Sequence, residues 1–228
     1  MTDPTQVLVV HHGAQYMKKL RDRIAEHAGS NAEVHHMHVD QVLKQPEGHF
    51  KQYKGIAFSG GDGSINTKAY ERIAQEANPN TTIVGVCHGA QTIAQAHGGT
   101  VEKLDKHIRG QQQANVTQAH DIVGEKGATL EYHQNHKYAI TNPGELEVLA
   151  KRNVGTEQNP QEIVEVFKHP EKPIYGIQGH PEKGQGIETL HNIMANVYTP
   201  NQKNIHDFQE HKDKMNKPQY QQPEYNAA

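Results

Sequence analysis

The sequence predicts an α/β protein with an open, mostly parallel sheet, helices on both faces and antiparallel additions in the second half. In the first half, short apolar segments alternate with segments of helical periodicity, as in parallel sheets whose crossover connections are helices. In the second half, four strand-like segments are separated only by turn residues, which is typical of antiparallel strands. A last apolar strand and an amphipathic helix complete the pattern.

The first strand and helix lie near the start of the chain. Residues 6–10, QVLVV, are a short apolar segment typical of a buried strand. A helix ended by Gly29 follows, and its apolar residues recur every four positions and share one face: Tyr16, Leu20, Ile24 and Ala28.

Two more pairs of strand and helix follow. Residues 55–61, GIAFSGG, indicate a strand that enters a glycine turn, and the next helix has one apolar face: Tyr70, Ile73, Ala74 and Ala77. Residues 81–86, TTIVGV, indicate another strand. The helix after it ends at the Gly98-Gly99 pair, and its inner face carries Ile93, Ala94 and His97.

The second half carries the strand-like segments QANVTQAHDIV, TLEYHQNHKYAI, ELEVLAKR and QEIVEVFKH. Residues 173–180, PIYGIQGH, return to a buried strand, and the last helix has a single apolar stripe: Ile187, Leu190, Ile193, Met194 and Val197. Beyond Pro200 the chain has too little apolar surface to offset the entropy of ordering. We therefore expect one domain over residues 1–200 and a polar, flexible tail over residues 201–228.

Composition excludes several classes of protein. The 23 basic and 26 acidic residues form no basic stripe, so we expect neither a nucleic-acid partner nor a membrane surface. A mean hydropathy of -0.86 and the lack of a long apolar segment argue against a transmembrane helix. The start of the chain does not resemble a secretory signal, and the single cysteine cannot form an internal disulfide. These features favour the cytoplasm.

Histidine is frequent, with 18 residues, and the segment HHMH at positions 35–38 raises the question of a metal site. Consecutive residues of a strand point to opposite faces, and no cysteine or His-Glu-x-x-His pattern accompanies the segment. We interpret these residues as solvent-exposed histidines and expect no metal site.

The single cysteine, Cys87, lies in GVCHGAQ, between Gly85 and Gly89. Glycines at these two positions let the backbone reverse sharply without Cβ clashes. A strand before the turn and an amphipathic helix after it match a nucleophile elbow, and the helix N-terminus favours a thiolate. For this motif alone, a small buried cysteine at a tight turn is an equally good interpretation.

A general base for this thiol is found at a distance along the chain. His180 follows a predicted strand end in GIQGHPEKG. Pro181 favours extended chain before it, and residues i and i+2 of an extended chain share a face, so Glu182 is placed to orient the His180 imidazole. His88 is adjacent to Cys87, but its side chain should point along the new helix, so we expect only its backbone N–H to act, as an oxyanion donor. Gly60 and Gly61, in the glycine turn at the end of segment 55–61, offer the other backbone N–H donors.

These motifs together resemble the class I glutamine amidotransferases, which have a Cys-His-Glu triad. The resemblance covers roughly residues 6–198 and includes GVCHGAQTIAQAHGGTV, SGGDGS and PIYGIQGHPEKGQGIETLHN. HHGAQYMKKLRDRI, NPGELEVLAKR and VFKHPEKPIYGIQGHPE are most similar to the amidotransferase subunit of archaeal GMP synthetases. The family's fold agrees with the one predicted above.

The resemblance implies glutamine hydrolysis. Cys87 attacks the side-chain amide to give a thioester, His180 acts as acid and base, and Glu182 orients it. Residues implied to bind substrate are Gln91, Asn135, His136 and Tyr138, with Gln91 and Asn135 at the amino acid end. No cofactor is expected on this chain; ATP and Mg are expected on a partner synthetase that uses the ammonia.

The sequence departs from the family at four positions of the site. Asp62 replaces the usual proline after Ser-Gly-Gly, which leaves the oxyanion loop less constrained, and His88 replaces a leucine or tyrosine. Gly179 replaces an aromatic residue before His-Pro-Glu, and we expect His180 to lose packing as a result. Tyr138 stands where GMP synthetases have aspartate, in a segment closer to that of carbamoyl-phosphate synthetase small chains.

Three alternatives to a GMP synthetase subunit therefore stay open. The chain can serve a carbamoyl-phosphate-synthetase-type or other synthetase. It can be a glutamine-binding regulatory module that no longer turns over, or a stand-alone cysteine hydrolase of γ-glutamyl amides.

Overall fold

The structure is a computed structural model that describes residues 4–13, 17–29, 32–155, 158 and 160–198. The predicted tail over 201–228 and the predicted domain boundary at residue 200 lie outside the described residues. Among the described residues, no helix is long and apolar enough to cross a membrane.

Nine strands and five α-helices are seen in the described residues. The strands are β1 (Thr5–His11), β2 (Ala32–His38), β3 (Gly55–Phe58), β4 (Thr82–Val86), β5 (Thr100–Val116), β6 (Thr129–Asn142), β7 (Glu147–Asn153), β8 (Glu162–Lys168) and β9 (Ile174–Ile177). The helices are α1 (Met17–Ala28), α2 (Val39–Val42), α3 (Lys68–Glu76), α4 (His88–Ala96) and α5 (Ile187–Tyr198). Short 3₁₀ helices cover His49–Gln52 and Pro181–Lys183.

All nine described strands form one sheet, in the order β2-β1-β3-β4-β9-β8-β7-β5-β6. The pairings from β2 to β9 are parallel, and those from β9 to β6 are antiparallel. The predicted α/β class, with its antiparallel additions from the second half, is confirmed.

Helices cover both faces of the parallel strands, as predicted. Alternate residues of β1 pack on different sides of the sheet, because successive side chains of a strand point to opposite faces. Val7 and Val9 pack in one apolar core with α1 and α5, whereas Leu8 and Val10 pack in a second core with α3 and α4. Burial of each such side chain contributes about 1.5–3 kcal/mol, so the two cores fix the helices against the sheet.

One strand differs from its predicted bounds. The segment QANVTQAHDIV covers residues 113–123, but β5 begins at Thr100 and ends at Val116. Most side chains along β5 are exposed or half-buried, so this strand lacks the apolar alternation by which strands are recognised. Its pairing with β6, the next strand along the chain, holds it in place.

The carboxyl ends of β3, β4 and β9 meet at one edge of the sheet. Phe58 pairs with Gly85, and Val86 pairs with Ile177. The residues that follow these three strands therefore emerge side by side, and they are the predicted oxyanion loop, the predicted nucleophile and the segment that carries the predicted base.

Candidate active site

Cys87 occupies a strained turn between β4 and α4. Its backbone has φ 52° and ψ -105°, and it is the non-glycine residue with positive φ among those the structure describes. Such a conformation costs about 1–3 kcal/mol and persists only where the surroundings enforce it. Here the Cys87 N–H donates to the Ile177 carbonyl at 2.8 Å, and its own carbonyl accepts the Gln91 N–H at 3.0 Å.

The two glycines around Cys87 are required for close packing. A Cβ on Gly85 would lie 2.5 Å from the carbonyl carbon of Gly89, and one on Gly89 would lie 2.4 Å from the Phe58 carbonyl oxygen. Both distances are shorter than any real Cβ contact. The glycines thus let α4 start directly on β3 and β4, while the left-handed backbone belongs to Cys87 itself.

His180 and Glu182 form a buried pair just after β9. The His180 Nδ1 lies 3.0 Å from Glu182 Oε1, and the two residues are 2% and 1% exposed. The path between them is a short 3₁₀ turn that starts at Pro181, not the extended chain on which the sequence argument relied. The backbone N–H of His180 donates to the His133 carbonyl at 2.8 Å, which ties this segment to β6.

The His180 imidazole is also hydrogen bonded to the Cys87 thiol. Burial alone would lower the pKa of His180, but the hydrogen bonds and charges of Cys87 and Glu182 outweigh it and raise that pKa to about 10. An imidazolium is therefore favoured at neutral pH, next to the sulfur atom that has to carry negative charge in order to attack.

The residues predicted to supply the oxyanion donors lie in two segments next to Cys87. A Cβ on Gly60 would lie 3.0 Å from His180 Cε1 and 3.7 Å from Cys87 Cβ, so the backbone of this loop passes directly over the pair. Gly61 follows it into the cavity wall. His88 is the first residue of α4, where backbone N–H groups have no acceptor within the helix.

The side chain of His88 has a ring partner other than Cys87. Its ring meets that of His12 edge-on, with 4.6 Å between the centroids. Burial lowers the pKa of His88, and the negative charge of Asp62 opposes this only in part. Its Nε2 is buried and has no partner among the described residues. A neutral His88 packed in this way is no base for Cys87.

An open cavity of about 800 Å³ lies above Cys87, and the four predicted substrate-binding residues all line it: Gln91, Asn135, His136 and Tyr138. The side chains of three of them already have protein partners: Gln91, Asn135 and His136. Gln91 Nε2 donates to the Tyr138 carbonyl at 2.7 Å, and Asn135 Oδ1 lies 3.0 Å from His107 Nε2. The Tyr138 side chain is 51% exposed at the cavity wall.

The histidine segment at positions 35–38 lies on β2, at one edge of the sheet. Within the part of the chain that the structure describes, no group of three or more histidine, cysteine or acidic residues is arranged to hold a metal ion.

Comparison with known proteins decides the family. The model of the class-I glutamine amidotransferase family matches residues 8–199. The chain belongs to this family.

Several relatives within the family are GMP synthases. One of them, from Methanococcus vannielii, is named as a single subunit of a glutamine-hydrolysing GMP synthase; it is 28% identical over 179 residues, which are 77% of this chain and 87% of that protein. The GMP synthase of Bifidobacterium longum is 32% identical over 187 residues, 77% of this chain but 31% of the relative. The chain thus spans most of the Methanococcus protein and about a third of this longer synthase.

Solved structures share the fold. A protein from Thermoplasma acidophilum, described as a candidate subunit of GMP synthase, has a TM-score of 0.70 at 20% identity and covers 92% of this chain and 100% of its own. The glutaminase domain of Trypanosoma brucei CTPS with bound acivicin has a TM-score of 0.67 at 16% identity, over 85% of this chain and 93% of its own. At these identities the likeness supports the fold alone.

The expectation that Gly179 loosens this amidotransferase site is wrong. A Cβ on Gly179 would lie 2.4 Å from the Tyr132 Cβ, because Tyr132 already fills the space beside it. Tyr132 is fully buried, and its hydroxyl lies 2.8 Å from the Thr189 hydroxyl at the start of α5. An aromatic ring from β6 therefore packs here in place of one at position 179.

Sequence reasoning missed Gln178, which lies in the same amidotransferase site. Gln178 is fully buried, its Nε2 lies 3.9 Å from Cys87 Sγ, and its Oε1 accepts from Gln91 Nε2 at 3.3 Å. The sequence did carry a signal for this residue. Gln178 directly follows an apolar strand, at the sheet edge where Cys87 was expected. The side chain links the nucleophile to the cavity wall.

The packing of Tyr132 leads to a testable prediction for Gly179. Gly179→Ala should destabilise the protein by about 1–3 kcal/mol, since the added methyl overpacks a filled core site. The matched control is Gly184→Ala: Gly184 has an extended backbone, and the new Cβ would meet only the flexible end of Gln111. Urea unfolding of both variants measures the difference. Equal stabilities would show that Tyr132 does not occupy this space.

Proposed function

We propose that this amidotransferase is the glutaminase subunit of a GMP-synthetase-type enzyme, and that it passes ammonia to an ATP-dependent synthetase that aminates XMP. One observation supports the glutaminase chemistry most strongly. The thiol of Cys87 contacts the buried His180–Glu182 pair at the floor of an open cavity, at the edge where three parallel strands end. The parts needed for acyl transfer are thus held in contact before substrate binds.

The first half-reaction forms a thioester. The Cys87 thiolate attacks the side-chain carbonyl carbon of glutamine, and the charge that develops on oxygen is stabilised by backbone N–H groups of Gly60, Gly61 and His88. His180 donates its proton to the departing nitrogen, so ammonia leaves and a γ-glutamyl thioester remains. Glu182 holds the imidazole by its Nδ1, which leaves Nε2 for this transfer.

The second half-reaction releases glutamate. Neutral His180 takes a proton from water, the hydroxide equivalent adds to the thioester carbon, and the same donors stabilise the new oxyanion. The C–S bond breaks, and the thiolate and imidazolium are restored. The sum is glutamine plus water giving glutamate plus ammonia.

Support for a synthetase partner comes from the relatives. The Methanococcus vannielii relative, which aligns over 87% of its length, is named as one subunit of a glutamine-hydrolysing GMP synthase. Ammonia is useful only where it is consumed, so we propose a separate chain that binds ATP and Mg and accepts the ammonia.

The proposed triad predicts graded losses of glutaminase activity. Cys87→Ala removes the nucleophile and should abolish glutamate release, and His180→Ala should lower kcat by about 10³-fold or more. Glu182→Gln keeps the shape but not the charge and should lower kcat less. His36→Ala, an exposed histidine on β2, is the control and should behave as wild type. A coupled glutamate assay measures all four.

Two results would contradict this mechanism. A Cys87→Ala protein as active as wild type would exclude the thioester. Tight glutamine binding with no glutamyl adduct in intact-mass measurements would favour a binding module that has lost turnover.

The proposed partner predicts glutamine-dependent amination of XMP. Mixing this chain with the ATP-pyrophosphatase chain of a GMP synthetase, ATP and Mg should give GMP from XMP and glutamine. Cys87→Ala should lose this activity, while added ammonium should restore it because the synthetase step is intact. GMP is quantified by chromatography. Delivery of ammonia to carbamoyl phosphate instead, or full glutaminase activity unaffected by any synthetase, would refute the GMP assignment.

A further inference from the structure

A row of buried polar side chains begins with His136 at the cavity wall and continues away from the cavity, and the reaction steps described above do not use it. Its four members are Arg152 on β7, Glu165 on β8, and Gln134 and His136 on β6. Glu165 is fully buried, and the other three are no more than 7% exposed. Polar groups buried to this extent are costly unless each has a suitable partner, so their hydrogen bonds can be counted.

The contacts run in an unbroken order. Arg152 Nε donates to Glu165 Oε1 at 2.7 Å, and the other oxygen, Oε2, lies 3.0 Å from the Gln134 amide. The other end of that amide lies 3.0 Å from His136 Nε2. His136 Nδ1 then lies 2.9 Å from the Tyr138 carbonyl oxygen, which also accepts from Gln91.

Three of these contacts lie between the Glu165 carboxyl and the Tyr138 carbonyl. Each of the three is a hydrogen bond and needs one hydrogen. Suppose that Glu165 is ionised and the Gln134 amide donates to it. The Gln134 oxygen then faces His136 Nε2, and the Tyr138 oxygen faces Nδ1, so both imidazole nitrogens must carry hydrogen. A neutral imidazole beside an ionised carboxylate leaves one contact without a hydrogen.

A half-turn of the Gln134 amide gives a second complete arrangement, since it exchanges oxygen and nitrogen without a change of shape. The protonated Glu165 then donates to the Gln134 oxygen, the amide N–H donates to His136 Nε2, and Nδ1–H donates to the Tyr138 carbonyl. In both arrangements Glu165 and His136 together hold two protons, one more than an ionised acid and a neutral imidazole would.

Electrostatics favour the second arrangement. Burial raises the pKa of Glu165, and the opposing charge and hydrogen bond of Arg152 do not cancel this. Burial and the positive charge of Arg152 lower the pKa of His136 to about 3. Burial therefore shifts both groups towards their neutral forms.

We propose that Glu165 and His136 share one proton through Gln134, and that this relay makes Glu165 a positioning residue for the glutamine-binding wall. The relay fixes His136 Nδ1 as a donor to the Tyr138 carbonyl, and that carbonyl orients the Gln91 amide. Gln91 in turn holds Gln178, which faces the Cys87 sulfur. The positioning role rests on the proposed glutaminase function, whereas the shared proton does not.

The proton count is tested on the wild-type protein, without any activity assay. Nitrogen-15 NMR of labelled histidine at pH 7.5 reports which nitrogens of His136 carry hydrogen, and carbon-13 NMR reports the Glu165 carboxyl. Spectra of His136→Gln and Glu165→Gln assign the two signals. Two protons over the pair, in either arrangement, support the proposal. One proton over the pair, an ionised Glu165 with a neutral His136, would overturn it.

The positioning role is tested by comparing two variants at one residue. Glu165→Ala breaks the relay and should raise KM for glutamine about tenfold, with a smaller change in kcat. Glu165→Gln should recover most of that loss, because an amide N–H donates to Gln134 as the acid hydroxyl does. The control is Glu162→Ala, three residues earlier on β8, which removes only the exposed ion pair with Lys151. It should leave KM unchanged.

Two outcomes would overturn the positioning role. Glu165→Gln as damaged as Glu165→Ala would show that an amide N–H at this position does not replace the acid hydroxyl, so that Glu165 does not position the wall by donating to Gln134. A folded Glu165→Ala protein with wild-type KM would show that the relay does not reach the glutamine site. A wild-type protein without glutaminase activity would instead refute the proposed function and leave the NMR result intact.

Discussion

The left-handed backbone of Cys87 is the constraint on which the rest of the site depends. A non-glycine residue holds φ 52° only if its neighbours leave it no alternative. Two glycines let α4 approach β3 and β4 closely, and the Cys87 N–H is hydrogen bonded to Ile177 at the end of β9. The strain is thus opposed by the packing of three strands and a helix, and the result is a thiol raised at the edge of the sheet.

The same contact between β4 and β9 joins Cys87 to His180, the proposed base. Because β9 ends beside Cys87, the chain that follows it places His180 against the sulfur and Glu182 behind His180. Burial disfavours an imidazolium, so the pair depends on negative charge on both sides of the ring. Loss of Cys87 or Glu182 should therefore lower the pKa of His180 and also change the position of its ring.

Local pattern in the sequence predicted the parallel strands, the elbow and the His-Pro-Glu segment, because each rests on residues a few positions apart. It failed where the decisive neighbour is distant in sequence. The ring beside Gly179 comes from Tyr132, the amide that reaches Cys87 comes from Gln178, and the partner of Gln134 is Glu165 on another strand. β5 was misplaced for a different reason: it is held by pairing with β6 and lacks the apolar alternation by which strands are recognised.

The most direct test of this account is the titration of His180, followed by nitrogen-15 NMR in wild-type protein and in Cys87→Ala between pH 6 and 9. An imidazolium that persists above pH 8 is expected in wild type, since the pKa of His180 is raised to about 10. In Cys87→Ala that pKa should fall, because burial is then opposed by Glu182 alone. A neutral His180 at pH 7 in wild type, or the same titration in both proteins, would contradict the coupling of thiol and imidazole.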